Sequence, residues 1–374
     1  MSEKFEGRGH SQTIPEEPGV TVIGIRHADK NTGVTDSVEN PQALTEQGKE
    51  NARKEAEIFF EQVKQAPAGS IVSLSSSDII RAQETKKIFV DTILDLGRYT
   101  HSGVAILRRF KRNGTELTDT ELRRKTKDAS LRYIIIDELD DQDLGYRRDE
   151  NDNIVAFNEA MEVFNDEELV SYIWSATPEE WPELVMYLYD KQLEKISNQL
   201  GRNLSFTESQ WLMMTIIEKS DPRKFLKRTP EDIVAIQLEA IEKQVSRALR
   251  VYPDRRNIIH ITHHAPGCDF LAMALFGQDM TFNNYQELSG YRNYLEGMAF
   301  DVDTDGNVIV VDFRSKRSSI EPIKLSDVIT GLHDKAEKRR EAWKAFDQSS
   351  AYASLYLSIA LGRSGSFGLL SKAA

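Results

Sequence analysis

"VTVIGIRHAD" (20–29) is the stretch from which the rest of the chain can be read. Its first six residues are apolar and rich in β-branched side chains, as expected of a strand buried on both faces. The run then stops on Arg26, His27 and Asp29, so the strand delivers charge at its exit. Downstream, "LTEQGKENARKEAEIFFEQV" (44–63) sets Ala52, Ala56, Phe59, Phe60 and Val63 on one helical stripe. "SIVSL" (70–74) reads as a second strand, and it runs through "SSSD" into the helical "IIRAQETKKIFVDTIL" (79–94). Strand, helix, strand, helix is the order of an α/β sheet with parallel neighbours.

Further strands are expected at "YIIIDEL" (133–139) and "NIIHIT" (257–262), with a hairpin in "MAFDVDTDGNVIVVDF" (298–313) turning at Asp305-Gly306-Asn307. The fold class is therefore a three-layer α/β/α sandwich around a mostly parallel sheet. Residues 98–132 offer no clear pattern. Residues 1–18 are polar and rich in Gly, Glu and Pro, which suits a disordered lead-in. The α/β domain is expected over 19–325, interrupted by a mainly helical insert at 147–229 and followed by a C-terminal helix and tail at 326–374. Thr177-Pro178-Glu179-Glu180 and Thr229-Pro230-Glu231-Asp232 both have the pattern of a helix start. After the second, Val234, Leu238, Ile241, Val245 and Leu249 share a face. The aromatic and methionine residues of "WSATPEEW", "LVMYLY" and "SQWLMMTII" suit a helical core, with a cap over a substrate pocket as the sharper reading. "AYASLYLSIALG" (351–362) is too short to cross a bilayer and suits packing against the domain or a second subunit, so a homo-oligomer stays open.

The chain has 374 residues, enough for a sizeable core, and a formal net charge of −12, which argues against a general nucleic-acid-binding surface. One cysteine, Cys268, rules out an intrachain disulfide and fits a reducing compartment. The opening residues lack the apolar core of a signal peptide, and no run of 18 apolar residues occurs. A cytoplasmic protein that does not bind membranes is expected.

Three strand ends carry polar tips. The first ends in Arg26-His27, the second in Ser75-Ser76-Ser77 with Arg81 one helical turn further, and a later one in Thr262-His263-His264. Open α/β sheets bind ligands outside the carboxyl ends of their strands. Two arginines and two histidines gathered there suit an anion, because a guanidinium fork grips two oxygens and stays charged at any working pH. "HITHH" (260–264) invites a metal reading, but a regular strand points His260 and His263 to opposite faces. No metal is expected, and His260 is assigned to packing behind the sheet.

These residues resemble the signature of the histidine phosphatase superfamily, the phosphoglycerate-mutase-like proteins. "RHAD" (26–29) is similar to the family's Arg-His-Gly-Glu, and "LTEQGKENA" (44–52) to its Leu-Thr-x-x-Gly-x-x-x-Ala. "SDIIRAQET" (77–85) resembles Ser-Pro-Leu-x-Arg-Ala-x-Gln-Thr, and "LDDQDLG" (139–145) resembles Leu-x-Glu-x-x-Phe-Gly. "ITHHAPGCDFLAMALFG" (261–277) corresponds to the Val-Ser-His-Gly-Gly strand and the helix after it. Ala28, Asp29, Asp78, Asp141 and His264 depart from the usual residues at their positions.

The resemblance implies a phosphatase acting on a small phosphorylated substrate, with no cofactor. His27 would be the nucleophile; Arg26, Arg81 and His263 would hold the phosphoryl oxygens; and Asp141 would be the proton donor. Asp29, Glu138 and Asp140 are the alternatives to Asp141, which sits in an acidic run that also reads as a solvated turn. The arginines would neutralise the phosphate, so the chemistry requires no metal. Two other readings stay open. A phosphomutase is disfavoured because "RHADKN" (26–31) lacks the mutases' usual Arg-His-Gly-Gln-Ser. The departures at Ala28 and Asp141 leave room for a non-catalytic phosphate-binding or scaffold protein.

Overall fold

The computed structural model describes residues 14–28, 44–77, 80–99, 103–110, 115–142, 160, 163–164, 167–263, 267–288, 297–313 and 316–346. Most of the lead-in, the tail beyond 346, Asp29 and His264 lie outside these residues, as do the side chains of 137–142.

Among the described residues, eight strands form one sheet. They are β1 (Gly19–Arg26), β2 (Ile71–Ser77), β3 (Val104–Arg108), β4 (Arg132–Gln142), β5 (Arg256–His263), β6 (Gly297–Val302), β7 (Asn307–Phe313) and β8 (Lys316–Lys324). Their order is β3-β4-β2-β5-β1-β6-β7-β8. The five strands from β3 to β1 run parallel, and β6, β7 and β8 continue the sheet in antiparallel fashion. The protein is thus an α/β sandwich around a mostly parallel sheet.

Alternation along the strands defines two faces. Val72, Leu74, Ile134 and Ile136 pack with Phe59 and Phe60 of α1 (Glu46–Gln65) and Phe89 of α2 (Ile80–Tyr99). Their neighbours Ile71, Tyr133 and Ile135 face the other way, towards Leu122 of α3 (Asp119–Lys125) and Val251 at the end of a long helix. Burying a side chain such as Leu or Phe contributes about 1.5–3 kcal/mol, so these two clusters hold the layers together. The stripe expected on α1 is buried at every position.

At the amino end of β1 a polar cluster sits inside the sheet. The Asp301 carboxylate accepts from Thr21 Oγ1 at 2.6 Å and from the guanidinium groups of Arg256 and Arg317. Arg256 Nε also donates to Thr21 Oγ1 at 3.1 Å.

Contacts divide the chain into two compact units. The first comprises Met1–Arg147, Ile233–Gly277 and Arg292–Gly331 and holds the sheet. The second comprises Arg148–Asp232, Gln278–Tyr291 and Leu332–Ala374. Its described part is helical: α4 (Glu167–Ser175), α5 (Trp181–Leu200), α6 (Phe206–Lys219), the start of α7 (Pro230–Val251), α9 (Phe282–Glu287) and most of α10 (Leu325–Ala345). Between α7 and α9 in sequence lies α8 (Gly267–Leu275), in the first unit.

Tyr172, Trp174, Trp181, Leu184 and Met213 are buried in the second unit, so most of its apolar residues form core. Trp211 and Met214 are 74% and 57% exposed. Arg339 ties this unit together, because its guanidinium donates to the Glu231 carboxylate and to the carbonyls of Ser175, Ala176 and Met280. Both expected helix starts form reciprocal capping bonds. Thr177 N donates to Glu180 and Glu180 N to Thr177 Oγ1, and Thr229 and Asp232 exchange the same pair. No helix among the described residues is long and apolar enough to cross a membrane.

Candidate functional site

The strand order brings the three polar tips side by side. β5 lies between β2 and β1, pairing Ser76 with Thr262 on one side and Arg26 with His263 on the other. The chain leaves β1 through α1 on one face and enters β5 from α7 on the other. Helices therefore diverge at this point, which is where open α/β sheets bind ligands.

His27 follows β1 directly and is 1% exposed. Its backbone N–H donates to the His263 carbonyl at 2.7 Å, fixing one histidine's main chain to the other's. Its Nδ1 lies 2.7 Å from the Ala28 carbonyl oxygen. A carbonyl can only accept, so Nδ1 carries the proton. Arg81 Nε donates to Nε2 at 2.8 Å, so that nitrogen presents its lone pair. The ring is thereby set as the Nδ1–H tautomer, with the Nε2 lone pair engaged by Arg81.

Arg81 is placed by α2 and by Thr85 one turn on. The Thr85 hydroxyl donates to the Arg81 carbonyl at 2.8 Å and accepts from Ala28 N–H at 3.1 Å. One buried hydroxyl thus joins the turn carrying His27 to the helix carrying Arg81. Arg26 is 2% exposed and lies one residue before His27.

His263 is 1% exposed, and neither of its ring nitrogens has a hydrogen-bond partner among the described residues. The ring packs where Gly24 has no side chain. A Cβ there would sit 3.0 Å from Cδ2 and 3.2 Å from Nε2 of His263. Burial pushes the imidazole down to about 4, so it is neutral at pH 7. His260, two positions before Thr262, lies on the opposite face from His263. Its ring packs at a tilt against Phe59 and Phe89 with centroids 4.7 and 5.1 Å away. Burial first, and the nearby His263 second, pull it down to about 3. It is a packed core histidine.

β4 sets the main chain of Asp141 opposite Ser76. The side chains of Glu138, Asp140 and Asp141 lie outside the described residues, as does Asp29. Among the described residues, no group of three or more His, Cys, Asp or Glu side chains is placed to hold a metal ion. Gly24 and Thr85 are contributions to the site that the residue pattern alone did not single out. Their signals are a glycine inside an otherwise β-branched strand and a hydroxyl one turn beyond Arg81.

No family model matches this chain, and no curated protein matches it. Among solved structures it is similar to one titled "Mycobacterial hydrolase 2" at 12% identity and a TM-score of 0.35. That likeness covers 86% of this chain and 98% of the other. A likeness this distant adds nothing to the interpretation of the site.

Proposed function

We propose that the protein is a phosphatase that hydrolyses a small phosphomonoester through a phosphohistidine on His27, without a metal. The observation that carries this reading is the ring of His27, held between the Ala28 carbonyl and the Arg81 guanidinium with Nε2 as the unprotonated nitrogen. A neutral imidazole is nucleophilic at pH 7 without needing a partner to deprotonate it. The arginine that touches it is the natural holder of the phosphoryl oxygens.

In the first step the Arg81 N–H passes from Nε2 to a phosphoryl oxygen, the freed Nε2 lone pair attacks phosphorus, the bond to the leaving oxygen breaks, and a carboxylic acid protonates that oxygen. Asp141 is assigned this role. In the second step a water attacks phosphorus, the phosphorus–nitrogen bond breaks, and the carboxylate takes the water's proton. Inorganic phosphate leaves and His27 returns to its neutral form. Arg26, Arg81 and His263 stabilise the charge on the non-bridging oxygens through both steps. His263 acts in its protonated form, and a phosphate dianion beside it opposes the effect of burial.

The test is a rapid-quench trap with a ³²P-labelled aryl phosphate. Acid-labile, base-stable label on the wild type is expected, and His27→Ala should lose the label and at least about 10³-fold in turnover. Undiminished hydrolysis by that variant ends the proposal. Product isomerised rather than released as phosphate would turn it towards a mutase.

A further inference from the structure

We infer that the hydroxyl of Ser77 is an additional oxyanion-binding group of this site, beyond the arginines and histidines, an inference that rests on the phosphate-site reading above. It follows from which buried hydroxyls of the sheet unit have partners. Ser70 donates to the Pro67 carbonyl, Thr21 to Asp301, Thr85 to the Arg81 carbonyl and Thr126 to the Leu122 carbonyl. Among the described residues of that unit, the buried serine and threonine hydroxyls without a partner within the protein are those of Ser75, Ser77 and Thr262. All three sit at the carboxyl ends of β2 and β5. A fold that satisfies its other hydroxyls leaves these polar groups at the one edge where a ligand is expected.

Geometry selects Ser77 from the three. Ile71 faces the α3 side of the sheet, so by alternation Ser75 and Ser77 do too. On β5, His260 faces α1 and α2, which sends Thr262 with it and His263 to the α3 side. The β2–β5 register ends at Ser76 opposite Thr262, and one further residue sets Ser77 level with His263. His263 is in turn level with Arg26. Neighbouring strands lie about 4.8 Å apart, so Ser77, His263 and Arg26 form a row about 10 Å long at the sheet's edge. Ser75 lies two residues deeper in the same strand. A tetrahedral oxyanion over His263 can accept from Ser77 on one side and Arg26 on the other.

The experiment compares wild type, Ser77→Ala and Ser77→Thr for inorganic phosphate affinity by calorimetry, aryl phosphate hydrolysis, and melting temperature with and without phosphate. Ser77→Ala should weaken phosphate binding about 10- to 150-fold, the loss of one hydrogen bond to a charged group. Ser77→Thr, which keeps the hydroxyl on a β-favouring residue, should restore most of the affinity. Without phosphate, Ser77→Ala should melt no lower than wild type, because it removes a buried hydroxyl that has no partner among the described residues. A structural hydroxyl would give the opposite sign. Unchanged phosphate affinity in Ser77→Ala, or a fall in melting temperature that accounts for the lost affinity, overturns the assignment while leaving a phosphate-binding wild type intact. A wild type that neither binds phosphate nor hydrolyses phosphomonoesters overturns the underlying reading, and Ser77 falls with it.

Discussion

The β1–β5 pair has a polar cluster at each end, and the two are built on opposite principles. At the amino end, Arg256 and Asp301 are almost completely buried and fully engaged with Thr21 and Arg317. At the carboxyl end, His263 and Ser77 are equally buried, yet both nitrogens of the one and the oxygen of the other lack partners among the described residues. A buried polar group without a partner costs about 1–3 kcal/mol. The first cluster contributes to holding the sheet, whereas the second retains hydrogen-bonding capacity that suits a ligand. Buried polarity by itself therefore does not mark a site; unspent buried polarity at a strand's carboxyl end does.

Three perturbations test that contrast, beginning with the largest expected effect. Asp301→Ala strands the Arg256 charge inside the sheet and should cost about 3–5 kcal/mol of unfolding free energy in urea titration. The folded fraction should keep its phosphate affinity; if binding fails while the fold stands, the two ends are not separate. Gly24→Ala introduces a Cβ 3.0 Å from the His263 ring, which must shift by a few tenths of an ångström. Stability should fall by about 1 kcal/mol while kcat/KM for an aryl phosphate falls about tenfold. Equal activity in this variant would remove His263 from the chemistry.

The smallest effect is one of pH. His260 and His263 have their pKa values lowered to about 3 and about 4 in the fold, against 6.5 for an unperturbed histidine. Below 6.5 the unfolded chain binds protons that the fold refuses, so stability present above that pH is lost as pH falls towards these values. His260→Phe, which keeps a ring between Phe59 and Phe89, should flatten that loss in acid titrations followed by circular dichroism. Activity at pH 7 should be unchanged. An unaltered acid profile would mean that His260 does not titrate as its burial requires.

The central strands could be read from the sequence because each is covered on both sides, leaving a continuous apolar run such as "VTVIGI" (20–25). The edges could not. β3, "VAILR", is only half-buried, and β8, "KRSSIEPIK", carries lysines and a proline, as edge strands do to deter pairing with other chains. Neither leaves a strong pattern. Within the candidate site, Arg26, His27, Arg81 and His263 stood out because charge at the end of an apolar strand is conspicuous. Ser77 was visible as one letter of a serine run, but that its hydroxyl lacks a partner is a property of three-dimensional neighbours. Gly24 acquires its meaning from a ring 239 positions further along the chain.

The two hydrogen bonds of Thr85 have a mechanical consequence. Because a single side chain clamps the backbone beside His27 to the first turn of α2, thermal displacement of that helix would drag His27 along with Arg81. The spacing between His27 Nε2 and the guanidinium is in this way insulated from helix motion, like two tools bolted to one carriage.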